Sequence, residues 1–362
     1  MKIHEYLLHR VQFELPRPIG NGPTKYKQFQ VTILELTTHG GRTGLGFEFQ
    51  PGTATPALPQ LKSQFETNAW PGLKGRHPAA LAMQIHPPAR AGGGVLAHAV
   101  ETALWDLMAK SCELPLYRLL GGTSPRVRVC GSTLDFPLDD TGFRERLNSF
   151  RQLGLQMVKV QVGRLHAADD LQRLAVVREI LGKDVQIVAD AGEAWTPDEC
   201  IARVNHFRRE GFEVHAVEDP LIREDFDGYT RICGEIAFTR ISTGARLGFY
   251  GKRRLLEQRG VDLLGVSGAI GDGRAAAHLA RDFDVPLAVG KTVCELGVHL
   301  AASLPECVSL EYSNLPWNEL VVEPVVIRGG YALAPDRPGH GLELNREAVG
   351  RLTLAEEPAL SR

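Results

Sequence analysis

Lysines, carboxylates and an amide recur in this chain at the ends of short apolar runs, and that placement gives them chemical interest. Lys159 and Gln161 lie in Met157-Val-Lys-Val-Gln-Val162. Asp190 ends Val185-Gln-Ile-Val-Ala-Asp190, and Glu218 with Asp219 ends His215-Ala-Val-Glu-Asp219. Ser267 ends Leu263-Leu-Gly-Val-Ser267, and Lys291 ends Pro286-Leu-Ala-Val-Gly-Lys291. Two carboxylates on successive strand ends, joined by a third, can hold Mg²⁺ through oxygen ligands. Such a metal would stabilise an enolate formed by removing the proton next to a carboxylate. The structural alternative is that acids after strands cap the next helix. Asp219, followed by Pro220, fits that alternative well.

Lys159 and Gln161, two residues apart on a strand, face the same side. A lysine inside a barrel is costly unless paired. Lys159 is therefore a candidate base with a lowered pKa, or a cation for a substrate carboxylate. A structural ion pair with Asp190 is the equal alternative. Lys291 is the second candidate base, and a solvated loop lysine is its alternative. Glu295, four residues on, would be its partner. Gln161, Ser267 and Glu295 form the candidate substrate-binding set, and Asp190 and Glu218 the candidate metal ligands.

The runs that carry these residues start about 22 to 30 residues apart, the length of a strand plus a crossover helix. Arg240-Ile-Ser-Thr243 belongs to the series, with Val127-Arg-Val-Cys-Gly131 before it and Val308-Ser-Leu-Glu311 after it. The connecting segments read as helices. Ala168 to Leu181 has apolar residues near a 3.6 period, and Thr196-Pro-Asp-Glu199 is a helix start. Strands that are apolar on both faces and alternate with helices imply a parallel sheet. Eight of them most simply close into a TIM-type α/β barrel, whose C-terminal strand ends converge on an active site. An open doubly wound sheet ranks lower, because no Gly-rich phosphate turn follows any strand.

A length of 362 residues suits one barrel plus a smaller domain. Apolar content of 43% and charged content of 23% are ordinary for a soluble globular protein. A net charge of −2 offers no electrostatic case for nucleic acid or anionic membrane. No apolar run reaches the length of a membrane span, and the N-terminus lacks the apolar core of a signal peptide, so a cytoplasmic location is expected. The six scattered cysteines form no CxxC and read as mostly buried free thiols.

Residues 1–120 have a different texture. Gln30–Thr37 and Thr43–Phe49 alternate like antiparallel strands around His39-Gly-Gly41. Gln60–Trp70, Ala79–His86 and Ala97–Ala109 read as helices, with a break at Arg90–Gly94. Arg17–Thr24 is a Gly/Pro-rich loop, a lid over the mouth or an ordinary surface loop. The expected domains are an α+β cap over 1–120, a barrel over 121–322, and a tail over 323–362 that turns at Gly329-Gly330 and returns to the cap.

Taken together, the chain resembles the enolase superfamily, in the mandelate racemase and muconate-lactonizing subgroup. The resemblance rests on Ala99–Lys110 with Leu119-Leu-Gly-Gly122, on Val188-Ala-Asp-Ala-Gly192, on Val217-Glu-Asp-Pro220, on Val289–Leu300 and on Pro338-Gly-His-Gly-Leu342, in this order and spacing. It implies an N-terminal α+β capping domain on a modified (β/α)7β barrel and a Mg²⁺-bound enolate; the expected partners are a small-molecule carboxylate and further copies of the chain in a homo-oligomer. The site departs from the family pattern. Gln161 stands where a second lysine base is usual, and it cannot take a proton at neutral pH. Ala245, in Thr243-Gly-Ala-Arg246, stands where a third metal carboxylate is usual. Ser267 falls where an opposing Asp or Lys base belongs, and Gly290 or Lys291 where one subgroup has histidine. Mg²⁺ is therefore expected to bind weakly, through Asp190 and Glu218. Two readings follow. One is an enzyme with a rearranged site that removes the α-proton of a hydroxy or sugar acid, as a dehydratase, epimerase or racemase. The other is a non-catalytic relative that binds a small carboxylate or a protein partner.

Overall fold

The structure is a computed structural model that describes residues 1–20, 25–52, 56–82, 95–134, 139–163 and 166–353. The chain opens with an antiparallel meander of β1 (Ile3–Ile19), β2 (Tyr26–Thr38) and β3 (Thr43–Pro51). The pattern had predicted β2 and β3 but not the long β1. Pro16 and Pro18 have no N–H to donate, and the β1–β2 pairing shifts register between Glu14 and Ile19. The expected loop thus begins as strand at Arg17–Ile19, and 21–24 lies outside the described residues. Ala97–Ser111 is helical and lies flat on β3, burying Val100, Ala103, Leu104 and Leu107. Each large apolar side chain so buried contributes about 1.5–3 kcal/mol. The approach is close because β3 carries glycine there. A Cβ on Gly46 would lie 1.8 Å from the Ala99 carbonyl oxygen. Leu58–Asn68 and Pro78–Ala82 are the other helices foreseen, while 83–86 and the Arg90–Gly94 break are outside the described residues.

The eight predicted runs all form strands: β4 (Arg126–Ser132), β5 (Met157–Gln161), β6 (Gln186–Asp190), β7 (Ala216–Glu218), β8 (Arg240–Thr243), β9 (Leu263–Ser267), β10 (Leu287–Gly290) and β11 (Cys307–Tyr312). Neighbours pair in parallel, and β11 also pairs with β4, which closes the barrel and excludes the open sheet. The runs are apolar throughout because both faces are covered. Val158, Val160, Ile187 and Val217 point outward under the helices. Cys130, Met157, Val188 and Leu263 point inward and fill the barrel floor. The helix start at Thr196 is a full capping box, with the Thr196 hydroxyl accepting from the Glu199 N–H while Glu199 accepts from the Thr196 N–H.

We propose Gly121–Gly122 as the boundary between cap and barrel. Gly121 has φ +100°, and a Cβ on Gly122 would sit 2.6 Å from the Ala302 carbonyl oxygen, so the chain turns tightly there into β4. The tail divides, which corrects the expectation that all of it joins the cap. Its hairpin, β12 (Val326–Arg328) and β13 (Tyr331–Leu333), turns at Gly329-Gly330 and adds antiparallel to β4, where a barrel-strand flank was free to pair. Only the later segment reaches the cap. The buried Asp106 carboxylate accepts from the backbone N–H of Leu45 (2.9 Å) and of His340 (3.0 Å). Arg346 clasps Glu35 of β2 with both terminal nitrogens, at 2.5 and 2.7 Å. Burial alone would raise the Glu35 pKa, but the bonds from Arg346 and His9 outweigh it and hold it at about 2.

A carboxylate with a depressed folded pKa adds stability above the unfolded value of about 4.3, lost as pH falls towards the folded value. Arg346→Met should therefore lower stability by about 1–2 kcal/mol at pH 7. The deficit should shrink between pH 4.5 and 2, which thermal unfolding across that range would show.

Candidate active site at the barrel mouth

A cavity of about 490 Å³ opens where the C-terminal strand ends meet the cap. Phe29, Phe49 and Pro51 of the cap form its roof, and Met157, Val188 and Leu263 its floor. Lys159, Gln161, Asp190, Glu218 and Lys291 all line it, as their strand positions predicted. Register explains the convergence: Gln161 is level with Asp190, and Asp190 with Glu218.

Lys159 occupies the centre. Its ammonium lies 2.8 Å from Glu218, 2.8 Å from Glu311 and 3.9 Å from Asp190. Burial would lower its pKa, but the three carboxylates outweigh that and raise it well above the usual lysine value. The expected lowered pKa at Lys159 is thus corrected: the acids around it keep it charged. Glu311 was not among the predicted site residues. It lies one residue before the end of the eighth strand, β11, and the strand-end rule that found the others would have found it there. Burial raises Glu311, but Lys159, the Ser132 hydroxyl and the backbone N–H of Lys291 together bring it down to about 2. Glu218 goes the other way. Burial raises it and Lys159 opposes, yet Asp190 and Glu311 add repulsion, and it rises to about 8. Asp190 is raised too, chiefly by burial.

The opposite wall is cationic. Lys291 stands solvent-open at the end of β10, with φ +51°, a left-handed conformation that non-glycine residues seldom adopt. Asp219 (φ +43°), just after β7, and Glu193 (φ +65°), in the loop after β6, share that strain. Such strain concentrates at functional sites. Partial enclosure lowers the Lys291 pKa, the positive charge of Arg246 lowers it further, and it falls to about 8. Arg246 lines the cavity beside Ala245, with a nitrogen 3.8 Å from Glu193. Asp219 accepts from the Thr243 hydroxyl at 2.8 Å.

Two predicted substrate contacts fall elsewhere. The Ser267 hydroxyl donates to Asp272 (3.3 Å), the counterion of the fully buried Lys252 (3.0 Å), and Gly265 faces the cavity instead. Glu295 is buried and accepts from the Trp317 indole N–H (3.0 Å) rather than meeting Lys291. Its helix turns that face towards the cap, where Trp317 packs on Phe47 and Phe49.

The metal ligand set does not fit Mg²⁺. Asp190 and Glu218 are adjacent, but Ala245 brings no side-chain oxygen to the wall and the Lys159 ammonium already bonds Glu218. Among the described residues, no group of three or more His, Cys, Asp or Glu could hold a metal ion. Among the same residues, no helix is long and apolar enough to cross a membrane.

An α+β cap closes a parallel barrel over a cavity lined by strand-end acids and lysines. The chain belongs to the mandelate racemase and muconate-lactonizing family of the enolase superfamily. Residues 5–121 match the N-terminal domain of that family, and residues 142–348 match the enolase C-terminal domain-like family. A solved structure from Mesorhizobium loti, provisionally assigned as a mandelate racemase, is 36% identical, with a TM-score of 0.92 over 99% of this chain and 96% of that one. The L-talarate dehydratase of Polaromonas sp. JS666, solved with Mg and L-glucarate, is 26% identical, with a TM-score of 0.82 over 98% and 97%. The 3,6-anhydro-alpha-L-galactonate cycloisomerase of Streptomyces coelicolor is 28% identical over 90% of this chain and 92% of its own. Other relatives are dehydratases and epimerases, so the family around this chain consists of lyases and isomerases.

Lys159→Met would leave Asp190, Glu218 and Glu311 buried together without a cation between them. Breaking a buried ion pair in this way costs about 3–5 kcal/mol. The loss should be largest at neutral pH and shrink towards pH 5 as the acids take up protons, read by chemical unfolding at both pH values.

Proposed function

We propose that the protein removes the proton next to the carboxylate of a hydroxy or sugar acid, with Lys291 as the base, and acts as a dehydratase. The observation that carries this reading is the position of Lys291: a lysine in strained backbone at a strand end, facing the cavity, with its pKa lowered to about 8. A base works best with a pKa near the operating pH. In the proposed step the neutral Lys291 amine takes the Cα proton. The C–H electron pair moves into the bond to the carboxylate, forming an enediolate. The fixed charges of Lys159 and Arg246 stabilise that developing negative charge. Collapse of the enediolate expels the β-hydroxyl, which takes the proton back from the Lys291 ammonium and leaves as water. The resulting enol becomes a 2-keto acid.

Elimination suits the site better than racemisation. A racemase needs a second base on the other side of Cα, and the second-strand position holds Gln161 while the sixth strand presents Leu263 and Gly265. The non-catalytic reading draws on the same losses at Gln161 and Ala245. The proton chemistry is favoured because a purely scaffolding lysine has no need of the Lys291 geometry.

The test is deuterium incorporation at Cα, followed by NMR, with galactarate, talarate, arabinonate and xylonate as substrates. Exchange and keto-acid formation are expected, and Lys291→Met should reduce both by about 10²–10⁴-fold. The kcat/KM should rise with pH to a plateau above about 8, because only the neutral amine abstracts. Exchange that survives Lys291→Met would remove the lysine from this role, and no exchange with any of the acids would favour the non-catalytic reading.

A further inference from the structure

The carboxylates at the strand ends are arranged around a nitrogen, not around a vacant centre. Lys159 lies on β5. Glu218 lies two strands away on β7, and Glu311 two strands away in the other direction, across β4 on β11. Both reach the ammonium at 2.8 Å, with Asp190 of β6 at 3.9 Å. Oxygens at 2.8 Å stand at the spacing of a charge-assisted hydrogen bond, whereas Mg²⁺ draws its oxygens to about 2.1 Å.

Three further features of the same cavity agree. Ala245 supplies no side-chain oxygen where the wall turns after β8. The next side chain, Arg246, and Lys291 across the mouth are both cations lining the cavity. Asp219, on the β7 strand end, has one carboxylate oxygen engaged by Thr243. A dication here would have to displace the Lys159 ammonium from Glu218 and Glu311, and would face the positive charge of Arg246 and Lys291 as well.

We propose that Lys159 is the resident cation of this site. Its ammonium takes the place that a divalent metal would take between Asp190 and Glu218, and the protein holds its anionic ligand without Mg²⁺. The positive charge that a metal would bring is built into the chain as Lys159, Arg246 and Lys291. The proposal does not depend on which proton is moved or on which acid is bound.

The test uses the full chain, stripped with EDTA and titrated with Mg²⁺ and with Mn²⁺ by calorimetry and electron paramagnetic resonance. The unaltered protein should show no saturable binding below about 10 mM, since two carboxylates shared with an ammonium hold Mg²⁺ poorly. Lys159→Met frees Asp190, Glu218 and Glu311 together. Its affinity for Mn²⁺ should be at least tenfold higher than that of the unaltered protein, and Mg²⁺ should raise its melting temperature, because a ligand that binds only the folded state stabilises it. Mg²⁺ should leave the melting temperature of the unaltered protein unchanged. If the Met variant does not fold, Lys159→Gln, whose amide can still donate to the same acids without carrying charge, makes the same comparison. Saturable micromolar binding to the unaltered protein would overturn the proposal. So would folded variants that bind the metal no better than the unaltered chain.

Discussion

A charged lysine inside a parallel barrel has to be surrounded by anions, and at Lys159 that requirement organises the interior. Desolvating an ammonium costs several kcal/mol, which one carboxylate only partly offsets. Here the acids come from three strands, β6, β7 and β11, on both sides of the lysine. Glu311 reaches Lys159 only because β11 pairs with β4. The closed barrel and the paired lysine are therefore one constraint: an open sheet would leave the ammonium without Glu311, the partner whose own pKa is brought down to about 2. The floor beneath is apolar, which keeps these charges in a low-dielectric setting and makes each of them count for more.

The mouth is electrostatically divided. One wall gathers Asp190, Glu218 and Glu311 around a single lysine, and the other presents Arg246 and Lys291 near Asp219. This division explains why two lysines on similar strand ends behave so differently. Lys159 sits among negative charge and is held protonated, while Lys291, partly desolvated and beside an arginine, is released towards neutrality. One supplies fixed charge and the other can exchange a proton.

The roof depends on contacts far from the cavity. Asp106, buried in the cap, holds backbone of both β3 and the tail through Leu45 and His340. His340 in turn gives its carbonyl to His299 on the helix that follows Lys291. Glu295 on that helix anchors Trp317, which packs edge-on to Phe47 and Phe49. Cap, tail and the Lys291 strand end are thus joined through buried polar groups. That arrangement fixes the height of Phe29 and Phe49 above the strand ends.

The local pattern of the chain determined the barrel. Eight apolar runs at strand-plus-helix spacing leave little choice of fold, and β8 and β9 begin and end where the residues said they would. Parity along those strands also placed Lys159, Gln161, Asp190, Glu218 and Lys291 at one mouth, because alternation and strand ends are local properties. Tertiary structure alone decided their electrostatics. Whether a buried lysine is a base or a fixed cation depends on which charges stand across the barrel, and Glu311 is about 150 residues from Lys159 in sequence. Ser267 has the inward parity and Glu295 the right spacing from Lys291, yet each is claimed by a partner on another element, Asp272 and Trp317. The tail hairpin shows the same limit. Its turn was legible at Gly329-Gly330, but its pairing partner, β4, was fixed by which strand flank the assembled barrel left free.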